Sequence, residues 1–218
     1  MTLRRWSPLA LIAAHNSQRT SVAPSAFFSP KYQKERELYC AGHFALAYGQ
    51  ALAPCEVLLQ EPDPQNHVDF FLATSTGNHP FQLTERQEPG RRRGDEYRTG
   101  RAKPVDESSL ALAANEGPAW IAEAVKRKRD AYAGELAGLN LLVYVNFPAY
   151  ELEYSVAVAA LTTRCNDFGS IWLLTGDALS CIKSSAALGE LPGWYNTPAI
   201  TNEAYSGSQG LLGPIHRT

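Results

Sequence analysis

The chain has 218 residues and lacks any apolar run long enough to span a membrane. It also lacks a C-x-x-C pair. Its four cysteines, Cys40, Cys55, Cys165 and Cys181, stand far apart. They read as reduced and mostly buried thiols of a cytoplasmic protein. A strong charge of either sign is missing as well. The net charge is -2, so the whole chain gives no sign of nucleic acid, and any such binding would need a local basic patch. There is no Walker loop, no G-x-S-x-G and no internal repeat.

What is present is ordinary for a soluble globular chain, with 44% apolar and 19% charged residues and a length that suits one domain. Residues 1–33 differ from the rest. They carry arginines, serines and a short apolar patch, and no acid occurs before Glu35. The expectation is a disordered or wrongly assigned start. A targeting segment is the alternative, because Arg4 and Arg5 precede "SPLALIAA". Residues 34–218 are then a single α/β domain.

Periodicity organises that domain. "KYQKERELYCAGHFALAYGQALA" repeats apolar residues every three to four positions and predicts a helix ended by Pro54. "CEVLLQ" predicts a strand over 55–60. "HVDFFLATSTGNHPFQLTER" predicts a hairpin with strands near 67–73 and 79–85. Residues 86–117 are polar and arginine-rich, and read mostly as loop, with a helical turn at "DESSLALAA". Pro118 is expected to open a second helix at its first position, running to about 137. "LNLLVYVNF" and "FGSIWLLTG" predict buried strands around a third helix, "ELEYSVAVAALTTRC". One short helix is expected after about 178. The order helix, strand, hairpin, helix, strand, helix, strand predicts a mixed central sheet flanked by helices.

Within the hairpin, a four-residue "TSTG" loop sets Asp69 directly opposite Gln82, with Phe71 and Thr84 on the same face. Val68, Phe70, Leu72, Phe81 and Leu83 should then point to the other, apolar face. On the second helix Lys128 and Tyr132 fall on the sheet-facing stripe and Lys126 falls off it.

With "VDFFL" and "FQLTE" in these places, the chain resembles the PD-(D/E)XK nuclease superfamily over about residues 34–175. The resemblance implies a restriction-endonuclease-like core of helix, three strands, helix and strand, here with C-terminal additions. It also implies a Mg²⁺- or Mn²⁺-dependent phosphodiester hydrolase. In that scheme Asp69, Gln82, Glu37 and the carbonyl of Leu83 are the metal ligands. Asp69, Gln82, Glu37 and Lys128 are the catalytic set, with Glu35 a weaker substitute for Glu37. The family places an acid-x-Lys motif where this chain has Gln82 and Thr84. Gln82 offers a neutral oxygen and Thr84 no charge, so Lys128 is the candidate to replace the lysine. Arg91, Arg92, Arg93, Arg98 and Arg101 would hold a nucleic-acid backbone. His67 and His79 with Asp69 form a weaker transition-metal possibility.

Two functions follow from the resemblance. One is an active metal-dependent nuclease. The other is a catalytically inactive protein on the same fold that binds nucleic acid or a protein partner. A membrane partner is not expected, and a homodimer is compatible with either.

Overall fold

A computed structural model describes residues 3–23, 26, 30–60, 67–91, 95–96, 99, 105–132, 136, 138–149, 152–162, 167–176 and 178–197. Among the described residues, eight strands form one mixed sheet and four longer helices cover its two faces. The chain starts with β1 (Leu3–Trp6) and α1 (Pro8–Thr20). A single 3-10 turn, Pro30–Tyr32, leads into α2 (Gln33–Ala51). Then come β2 (Glu56–Gln60), β3 (Phe70–Thr74), β4 (Gly77–Gln87), α3 (Glu107–Ala131), β5 (Asn140–Asn146), α4 (Tyr154–Thr162), β6 (Ile171–Leu174), β7 (Ala178–Lys183) and β8 (Tyr195–Asn196).

Every strand neighbours the next one in sequence. β1 to β4 are antiparallel, β4, β5 and β6 are parallel, and β7 and β8 turn antiparallel again. Each of the two parallel steps carries a helix between its strands, as parallel pairing requires, and the antiparallel step from β1 to β2 encloses α1 and α2. A mixed α/β architecture is therefore as expected.

Period-two alternation divides the sheet between two apolar layers. Phe70, Leu72, Phe81, Leu83, Leu142, Tyr144, Trp172 and Leu174 pack against α1 and α2, around Phe44 and Tyr48. Leu141, Val143, Val145, Ile171 and Leu173 pack against α3 and α4, around Ile121, Val125, Ala157 and Leu161. Side chains of this size each stabilise the fold by about 1.5–3 kcal/mol when fully buried. At the start of the parallel strands, Asn140 donates to the Pro80 carbonyl at 2.9 Å and accepts from the Ser170 hydroxyl at 2.7 Å. The Trp172 indole donates to that same hydroxyl at 2.8 Å. β4, β5 and β6 are thus tied together by polar groups that are themselves satisfied.

The hairpin has the expected register. Phe70 pairs with Phe81 and Thr74 with Gly77. Gly77 has φ +136°, which an L side chain would adopt only with strain. Val68 departs from the expected face: it lies before the strand begins and packs with the α3 layer.

Other expectations fail for identifiable reasons. Pro118 does not open a helix; it lies inside α3, which starts eleven residues earlier. The start is fixed by Asp106, whose carboxylate accepts from the Ser109 amide at 2.8 Å. Gly117 precedes the proline with no Cβ to meet its ring, and a Cβ there would sit 2.9 Å from Phe147. No helix occurs among the described residues after 178. "ALSCIK" instead extends the sheet as β7. Within the segment expected to be disordered, residues 3–20 form β1 and α1. Ser7 caps α1, with Pro8 at its first position. Leu11, Ile12 and His15 of α1 are buried against α2, and a Cβ on Gly42 would meet Ile12 at 2.9 Å. No described helix is long and apolar enough to cross a membrane.

Candidate functional site

The polar residues of the hairpin gather where the first turn of α2 and the last turn of α3 approach the start of β3. Asp69 precedes β3, and its amide donates to the Phe81 carbonyl at 2.8 Å. The ladder itself ends at Phe70–Phe81, and the Asp69 side chain reaches Gln82 beyond it. The Asp69 carboxylate accepts from the Gln82 side-chain amide and from the Leu83 backbone amide, the latter at 2.8 Å. The Gln82 carbonyl oxygen accepts from the Tyr132 hydroxyl at 2.6 Å. Gln82 is 5% exposed, so this donor–acceptor chain is what allows its polar head inside.

Helix α2 contributes Lys34 and Glu37 from its first turns. The Lys34 ammonium lies 3.3 Å from Glu37 and 3.8 Å from Asp69, and donates to the Asp69 carbonyl at 3.4 Å. Glu37 also accepts from Gln33 at 3.0 Å. Lys34 was not among the sequence candidates. Its only signal is its place three residues before Glu37, one helical turn away.

Helix α3 contributes Lys128 and Tyr132. The Lys128 ammonium stands 5.7 Å from the centre of the Tyr132 ring. Burial lowers its pKa from the ordinary lysine value, and the charges of Asp69 and Glu37 act in the opposite direction. It makes no hydrogen bond or ion pair with another described residue. Burial raises the Tyr132 phenol, and Asp69 adds to that effect. His67 sets its ring edge-to-face with Tyr132 at 4.7 Å. Lys126, by contrast, points to solvent and pairs with Asp130 at 2.9 Å.

Asp69, Gln82, Glu37 and Lys128 therefore share one neighbourhood, together with the Leu83 backbone. Its chemistry differs from the expected metal centre. The Asp69 oxygens are engaged by an amide side chain, a backbone amide and Lys34, and the Glu37 oxygens by Gln33 and Lys34. Leu83 turns its amide, a donor, toward Asp69. Glu35 bonds Gln18 of α1 instead. Thr84 is buried. His79 bonds Thr74 and Thr76 at the hairpin tip, away from His67. Among the described residues no three His, Cys, Asp or Glu side chains gather as a metal-binding group.

The basic segment is differently placed from what its sequence suggests. Arg91 is 7% exposed at its side chain and lies between Glu88, at 3.7 Å, and Glu96, at 2.7 Å. Arg92, Arg93, Arg98 and Arg101 lie outside the described residues, as does Cys165.

No family model matches the chain. No curated protein matches it either. Among solved structures it is similar to a protein of unknown function from Pseudomonas aeruginosa strain PAO1, described as monooxygenase superfamily. The identity is 12%, the TM-score 0.41, and the match covers 82% of this chain and 85% of that one. None of the comparisons yields a nuclease. The nuclease resemblance is corrected accordingly, together with its hydrolase and metal-binding chemistry; of the expected fold, the mixed α/β sheet with flanking helices is what the structure bears out. The inactive, partner-binding alternative has no support from them. At this distance the likeness says nothing about what the present chain does.

Proposed function

We propose that this protein binds a small ligand carrying an oxyanion, a carboxylate or a phosphate, with Lys128 as its anchor. The observation that carries this reading is an imbalance in the cluster. Both carboxylates already have donors from the fold, whereas the Lys128 ammonium has its three N–H groups uncommitted to any described residue. A half-buried ammonium is costly to keep unless something accepts from it. An incoming oxyanion supplies that acceptor. Tyr132 holds the lysine by its ring face while its hydroxyl keeps Gln82 and Asp69 in line. The free thiols Cys40, Cys55 and Cys181 support a cytoplasmic setting for such a protein.

The test is calorimetric titration of the full chain with inorganic phosphate and with citrate. Saturable binding of one of them is expected. It should be lost in Lys128→Met and retained in Lys126→Met. Absence of heat with both probes, or equal binding by the two variants, overturns the reading. Binding of Mg²⁺ or Mn²⁺ that disappears in Asp69→Asn, without any anion binding, overturns it too.

A further inference from the structure

A second group of buried titratable side chains lies away from this site, between α1 and α2. Tyr39 stands between two imidazoles, with its ring centre 4.8 Å from that of His15 on α1 and 4.1 Å from that of His43 on its own helix. His15 is 3% exposed. The His43 Nε2 is buried with no hydrogen-bond partner in the structure. Both rings are therefore neutral fixtures of an apolar seam, which Leu11, Ile12 and the close approach of Ile12 to Gly42 complete.

We propose that this seam is an acid-sensitive latch, which releases β1 and α1 from α2 while the rest of the sheet stays folded. The charged groups around it favour release. His15 faces Arg19 on its own helix and Glu35 on α2, and meets the Asn16 side chain at 3.4 Å. Asn16 and Glu35 favour its charged form, but burial outweighs them and Arg19 opposes them, so its pKa falls to about 4. His43 faces His15 and Tyr39. Burial first, and the neighbouring His15 second, take its pKa to about 4 as well. A proton on either ring is thus unwelcome in the closed seam and accepted in the open one.

Release can be local because the unit sits at one sheet edge, where β1 pairs, among the described residues, only with β2 and the remaining ties include Trp6 on the core, Arg5–Glu56 and Gln18–Glu35. α1 buries only Leu11, Ile12 and His15, and β1 is an exposed edge strand. The central strands carry the large side chains, among them Trp172, Phe70, Phe81 and Leu142.

The sign is fixed by linkage. The folded pKa values lie below the ordinary value of 6.5, so closure is fully favoured above 6.5 and is lost as pH falls toward about 4. Hydrogen exchange read by mass spectrometry on the full chain tests this. Protection of residues 3–20 should fall by roughly tenfold per pH unit for each histidine across that window, after correction for intrinsic exchange. Residues 140–146 should remain protected. His15→Gln with His43→Gln should remove the pH dependence. If that double variant does not fold, imidazole titration by NMR on the wild type decides, since both rings should titrate together with the loss of protection. Simultaneous loss over 3–20 and 140–146 overturns the proposal. So does an unchanged pH dependence in the folded double variant, or ring titration separated from the opening.

Discussion

Two charged clusters in this protein solve the same problem in opposite ways. Around Arg91, a nearly buried guanidinium lies between Glu88 and Glu96, so each charge finds its opposite inside the fold. Around Asp69, the carboxylates are satisfied by Lys34, Gln33, Gln82 and the Leu83 amide, and one ammonium, that of Lys128, remains over. The first cluster is closed and structural. The second has capacity to spare. Count of charges does not separate them, because both mix the two signs. What separates them is whether every donor has an acceptor.

The contrast is broken most severely at the closed cluster. Arg91→Met should destabilise the protein by about 3–5 kcal/mol, because it strands two largely buried carboxylates. Denaturant midpoints at neutral pH measure this. A loss below about 1 kcal/mol would show that Arg91 is solvated after all.

The next effect is at Asp69. Asp69→Asn keeps the shape but replaces a charged acceptor with a neutral one for Gln82 and Leu83. Hydrogen bonds to a charged group contribute about 1.5–3 kcal/mol. A loss of about 1–2 kcal/mol is expected here, reduced because the side chain keeps some solvent contact. No change in the melting curve would mean that the Asp69–Gln82 pair does not position the hairpin.

Lys128→Met should go the other way. It removes a poorly paired charge and keeps the stem, so stability should hold or rise by up to about 1 kcal/mol. The sign with pH sharpens this. Folding lowers the pKa of Lys128, so the unfolded chain holds its proton more tightly. The wild type should therefore gain stability relative to Lys128→Met as pH rises toward 10.5, with the gain complete above it. Paired urea titrations at pH 7 and pH 10 read the difference. A shrinking gap with the opposite sign would mean that Lys128 is stabilised by an anion already within the fold. Smallest of all, Lys126→Met should stay within about 0.5 kcal/mol of wild type, since its partner Asp130 is exposed.

Much of the second cluster was legible in the sequence because a hairpin register is arithmetic. A four-residue turn at Thr74–Gly77 leaves one pairing, which runs to Phe70–Phe81 and sets the Asp69 side chain within reach of Gln82. Helical periodicity likewise told Lys128 from Lys126. Lys34 was hidden because it belongs to neither pattern. It reaches Asp69 only through the angle at which α2 meets the sheet, and that is a property of packing. Arg91 was misread for the same reason. In sequence it belongs to a basic run, and only the fold sets it between two acids. The start of α3 reads in sequence as a separate helical turn because Pro118 suggests the opening of a new helix, although a proline preceded by glycine is one that a helix can carry. Chemistry was the least legible part. Residue types at family-like spacing suggested a metal centre, but whether a carboxylate is free or already taken is decided by its neighbours.

The order of the sheet has a consequence for how the protein is made. Because each strand lies beside its predecessor, the sequence of synthesis is also a sequence of assembly. β2, β3 and β4 can form a meander before α3 exists. Each later strand then adds to the edge its predecessor leaves, and β5 and β6 wait for the helix that carries the chain across. No strand must be threaded between two that are already paired, so a ribosome releasing this chain never leaves a gap in the sheet to be filled later. The growing edge is covered by the next segment to emerge, while the opposite edge is the short, exposed β1.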